Sequence, residues 1–191
     1  MKKFSIILIM VFITLKLFAP YVAQDWDKII KEYFFYKEQQ FYKILAIEIK
    51  SVETWHDTLN YKRGDPYKKV NQIGAMGAYQ FMPKTLRWLG YKGTFIFFLN
   101  SPELQDYYML KLLKINKSTL EKQSFTYKIV PMDFIGFKIK GVEITLSGLL
   151  AASHLGGVGS VQKFLATNHN ARDLNKTSIK CYLDKFKNIT T

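Results

Sequence analysis

The sequence predicts an all-α domain of roughly six to eight short helices behind an N-terminal targeting segment. Two observations carry the helical reading: apolar residues recur at helical spacing, and cap residues, prolines and glycines fall where helix ends need them. A third bounds the class. Over 191 residues, 48% are hydrophobic and 23% charged, an ordinary globular mix for one domain with its own core. That mix excludes a disordered chain, a collagen-like repeat and a multi-span membrane protein. The single cysteine, Cys181, excludes an internal disulfide framework and a Cys-based zinc cage. It reads as a small buried hydrophobe.

Residues 1–23 read as a signal peptide or, uncleaved, a membrane anchor. Lys2 and Lys3 precede an apolar run from Phe4 to Phe18, Pro20 stops any helix and Ala23 offers a small residue for cleavage. Residues 24–191 then form a single domain. Removing 1–23 takes away Lys2, Lys3 and Lys16 and no acid, so the formal charge falls from +13 to +10. For an exported protein this points away from nucleic acid and towards the anionic polymers of a periplasm or cell envelope.

Residues 25–40 read as a helix capped by Asp25 or Asp27. Residues 41–54 continue helically, with Phe41, Ile44, Leu45, Glu48 and Val52 on one face. Residues 56–72 hold Gly64-Asp65-Pro66 and read as a loop. Pro83 opens a helix to about Leu89, closed by Gly90. Thr94 to Leu99 is an apolar turn. Ser101 and Pro102 start a helix to about Leu120 that turns Leu104, Tyr107, Tyr108, Leu112 and Ile115 inward. Residues 125–143 alternate weakly and fit a short β-hairpin or a loop. Thr145 caps a helix to Leu155, ended by Gly156-Gly157. Helices at Ser160–Ala166 and Ser178–Lys187 complete the chain.

Three features carry chemistry. Glu48 and Glu53 lie near the end of the Phe41 helix, where a carboxyl among apolar neighbours holds its proton more tightly, as a general acid for glycoside cleavage requires. The run from Gly74 to Pro83 has two glycines that allow close backbone approach, and Gln80 offers a donor and an acceptor just before a helix. The third is a helix of small residues bearing Ser153 and His154. Neighbours on a helix project about 100° apart, which argues against a Ser-His dyad and for contacts to a polymer or plain packing. The three histidines, His56, His154 and His169, lack metal-ligand spacing, and no metal or other cofactor is expected.

The stretch Gly74-Ala75-Met76-Gly77-Ala78-Tyr79-Gln80-Phe81-Met82-Pro83-Lys84-Thr85-Leu86 resembles the G-A-x-G-L-M-Q-x-M-P-x-T motif of the soluble lytic transglycosylases. Ala151 to Val161 is similar to that family's later A-A-Y-N-A-G-P-G-x-V motif, with Ser153 and His154 where the family has Tyr and Asn. The resemblance covers roughly residues 41–166 and implies a lysozyme-like α fold that cleaves the glycan strand of peptidoglycan. The resemblance also implies that one Glu acts as acid and then base. The substrate's N-acetyl group assists, and its 6-hydroxyl or water completes the reaction. Glu53 precedes Gly77 by 24 positions (77 − 53) and Glu48 by 29 (77 − 48). The family's Glu stands closer, so either choice implies an inserted loop over 56–70. Glu53, followed by Thr54, better matches the family's Glu-Ser.

The expectation is therefore a monomeric, exported lytic transglycosylase or muramidase. Glu53 or Glu48 is catalytic, and Gly77, Tyr79, Gln80, Ser153 and His154 contact peptidoglycan glycan strands. The alternative is a non-catalytic peptidoglycan-binding protein on the same fold.

Overall fold

The computed structural model describes residues 23–55, 65–173 and 176–190. It is mostly helical, with one two-stranded sheet. The predicted targeting segment 1–23 lies, but for Ala23, outside the described residues, as does most of the expected inserted loop. Among the described residues no helix is long and apolar enough to cross a membrane.

The chain divides into two compact units, Met1–Gln40 with Thr191, and Phe41–Thr190. The two helices expected at 25–40 and 41–54 are one continuous helix, α1 (Ala23–Trp55). In the first unit, α1 leaves Ile29, Tyr33, Phe34, Phe35 and Tyr36 exposed.

The second unit holds the core. The buried residues of α1 there are Tyr42, Leu45, Ala46, Ile49 and Val52. This stripe is rotated from the expected one: Ile44 and Glu48 face solvent. The reason lies in the competing apolar positions. Tyr42 and Ile49 fill the interior better than a face that must include a carboxylate.

Met82 caps α2 (Pro83–Trp88), with Pro83 in its first turn and Gly90 at φ +91 just past its end. The expected apolar turn is a short helix, α3 (Phe95–Leu99), whose cap Thr94 accepts from the Phe97 amide at 3.3 Å. In α4 (Pro102–Leu120) the buried face is Gln105, Tyr108, Met109, Leu112, Leu113, Asn116 and Leu120. Tyr107, expected inward, is exposed. It lies one helical step, about 100°, from Tyr108.

The hairpin forms, with β1 (Lys138–Ile139) antiparallel to β2 (Val142–Glu143). Lys140 and Gly141 between the strands both take positive φ, which a tight two-residue hairpin turn requires.

Thr145 caps α5 (Leu146–Thr167) through a bond from the Gly148 amide. As expected, the helix breaks at Gly156-Gly157: Gly157 takes φ 76 and ψ 157, which is not helical, so α5 is two helical stretches joined at a kink. The last helix, α6 (Ile179–Lys185), packs extensively on α5. The small residues of α5 permit this approach. A Cβ on Gly148 would lie 2.8 Å from the Leu183 carbonyl oxygen, closer than packed backbones tolerate. Ile179, Tyr182, Leu183 and Phe186 turn inward from α6 and its end. That phase leaves Cys181 exposed rather than buried as expected.

Candidate active site around Glu53

Glu53 sits one helical turn beyond Ile49, at the edge of the buried stripe, with its side chain 17% exposed. The Tyr182 hydroxyl, from α6, donates to Glu53 Oε1 at 2.7 Å. His154 Nε2, from α5, lies 3.6 Å from the same oxygen, and the His154 side chain is 6% exposed. Its other ring nitrogen, Nδ1, is buried with no hydrogen-bond partner among the described residues. The Phe81 ring meets the His154 ring edge to face, with centroids 6.1 Å apart. Thus the small-residue helix and the last helix converge on the Glu53 carboxyl, and the Gly74–Pro83 loop meets this cluster through Phe81 on His154. Burial raises the Tyr182 phenol well above its ordinary value, and the Glu53 carboxylate and its hydrogen bond add to the rise. The phenol therefore stays a donor.

The loop beside this cluster is shaped from beneath by Gln105. Its Oε1 accepts from the Ala78 amide at 2.9 Å, and its Nε2 donates to the carbonyls of Phe98 and Tyr67 at 3.0 and 2.8 Å. Gly77 is the close point of approach. It adopts φ +74, and a Cβ there would lie 2.1 Å from Gln105 Oε1. Gln80 is held at φ 51, in the left-handed region that costs a non-glycine residue about 1–3 kcal/mol. Its side-chain amide folds back to the Gly77 carbonyl at 2.9 Å.

The residues expected to touch substrate separate on this geometry. Tyr79 is 1% exposed, and its hydroxyl donates to Asp106 at 2.7 Å. It is a core residue rather than part of an outer wall, because a ring of that size between two short loop segments is worth more buried than wet. Burial first, then the bond to Asp106, raises its phenol far above the ordinary value. Around it, Lys50 donates to the Tyr67 hydroxyl at 2.7 Å and stands over the Tyr67 ring at 5.1 Å. Ser153 is also interior, bonding back to the Leu149 carbonyl at 2.8 Å. Gly77 acts through loop shape. Gln80 is partly exposed, and His154 stands against Glu53. Glu48 is exposed on α1 and takes no place in the cluster.

Sequence reasoning missed Tyr182 and Gln105. Gln105 left a signal, since a glutamine on the inward stripe of α4 must find polar partners in the core. Tyr182 left none, because nothing local ties α6 to α1. Among the described residues no group of three or more His, Cys, Asp or Glu could hold a metal ion; His56 lies outside them.

Compared with known proteins, the chain matches no protein-family model, no curated protein and no solved structure.

Proposed function

We propose that the chain is an exported glycan-cleaving enzyme of the lytic transglycosylase or muramidase kind, acting on peptidoglycan strands with Glu53 as its acid–base group. The observation that supports this reading most is the Glu53 carboxyl itself. It is largely buried, held by the Tyr182 hydroxyl and flanked by His154, within one contact of the Gly74–Pro83 loop through Phe81. A carboxyl desolvated among rings and fixed by a donor suits proton transfer to a glycosidic oxygen. In the proposed reaction Glu53 gives its proton to the leaving oxygen as the C1–O4 bond breaks. The substrate's acetamido carbonyl oxygen supports the anomeric carbon. The Glu53 carboxylate then takes a proton from the attacking 6-hydroxyl or from water, which restores the acid.

The test is release of soluble muropeptides from purified sacculi, followed by turbidity and mass spectrometry. Glu53→Gln should lower the rate by about a hundredfold or more, the usual worth of a general acid. Glu48→Gln should leave it near wild type. Activity that survives Glu53→Gln removes this mechanism. Retention on insoluble peptidoglycan without product release, in the unsubstituted protein, favours a binding protein instead.

A further inference from the structure

His154 occupies a position that the proposed chemistry has not yet used. Its ring is enclosed, with Phe81 edge-on against it and Nε2 3.6 Å from Glu53 Oε1. The two ring nitrogens have unequal surroundings, and that inequality fixes the tautomer. A proton on Nδ1 would be a buried N–H with no acceptor among the described residues, and the Nε2 lone pair would face an oxygen that already accepts from Tyr182. A proton on Nε2 instead points a donor at that oxygen and leaves only a lone pair unpaired at Nδ1. An unpaired buried acceptor is more readily tolerated than an unpaired buried N–H. The separation of 3.6 Å is long for a hydrogen bond, and catalytic contacts of this kind commonly tighten when substrate binds.

We propose that His154, as its Nε2–H tautomer, is a positioning residue that joins Tyr182 in orienting the Glu53 carboxyl through Oε1. Two donors from two helices fix the carboxyl plane, which sets the angle at which the acid meets a substrate oxygen. The inference rests on the reading of Glu53 as the acid–base group.

The test has two arms. The first is nitrogen-15 NMR of the imidazole rings in the full chain, with His154 assigned by its loss in a variant. A proton on Nε2 is expected, and a proton on Nδ1 overturns the proposal. This arm needs no activity. The second uses the geometry of side-chain amides: a glutamine places its nitrogen near Nε2, an asparagine near Nδ1. His154→Ala and His154→Asn should each lose about tenfold or more in kcat with KM changed by less than about threefold, whereas His154→Gln should recover most of that kcat. An asparagine variant as active as the glutamine variant, or losses carried by KM alone, overturns the positioning role. Glu53→Gln is run beside them. If it keeps activity, the acid–base reading fails and takes the His154 role with it; if it is inactive while the histidine variants behave alike, only the positioning role fails.

Discussion

The Tyr182 hydroxyl donates to Glu53 Oε1 at 2.7 Å across 129 positions of sequence. This bond ties the last helix to the end of the first and sets the carboxyl that the proposed chemistry needs. Tyr182→Phe keeps the ring and removes only the donor. It should cost about 1 kcal/mol of stability and lower muropeptide release by about tenfold or more. Thermal unfolding and a turbidity assay on one preparation separate the two effects.

The approach of α6 depends on a residue without a side chain. Gly148→Ala places a methyl against the Leu183 carbonyl, so α6 must shift and carry Tyr182 with it. A destabilisation of about 1–3 kcal/mol is expected from overpacking, with a fall in activity beyond what the unfolded fraction explains. Denaturant unfolding and rate measurements below the transition check this.

Gln105 joins the loop, α3 and α4 through both ends of its amide. Gln105→Leu leaves the Ala78 N–H and two carbonyls without their partner. The expected cost is about 3 kcal/mol or more, since each buried orphan costs about 1–3 kcal/mol. Gly77→Ala should be comparably severe, combining positive φ with a clash against Gln105. Chemical denaturation midpoints report both.

Alkaline pH should expose the buried phenols. Tyr79, Tyr108 and Tyr182 all have raised pKa values in the fold, with burial the first cause in each. A phenol whose proton is held more tightly in the folded state contributes its full stability below the unfolded value of 10.0. That contribution is lost as pH rises above it, because the unfolded chain ionises first. A tyrosinate absorbance titration should therefore show a late step from the raised phenols. Tyr79 and Tyr182, whose protons are held far more tightly than an ordinary phenol's, should ionise only together with loss of the far-ultraviolet helical signal.

Cys181 faces outward from α6. The folded protein should react with a thiol reagent at one equivalent without prior denaturation. A thiol that reacts only after unfolding would mean that α6 is rotated from the phase that brings Tyr182 to Glu53.

Much of the fold was legible in the chain. Pro83 and Pro102 open helices, Thr145 caps one and Gly157 breaks one, because cap and breaker chemistry is local. The all-helical class follows from periodicity. The phase of a stripe is less secure: α1 buries Tyr42 and Ile49 rather than Ile44 and Glu48, since which face wins depends on what the other helices offer.

By itself the sequence determined most of the helical elements and several of their ends, and offered two carboxyls as candidates for proton transfer and a glycine-bearing loop as their companion. Only the tertiary structure buried Glu53 while leaving Glu48 exposed, withdrew Tyr79 and Ser153 into the core, and brought Tyr182 and His154 to the Glu53 carboxyl. The reason is physical. Caps and turns are set by neighbours along the chain, whereas burial, donor direction and the spacing of charged groups are set by neighbours in space. Those arise here from the close contact of α6 with α5 and from their shared approach to the end of α1.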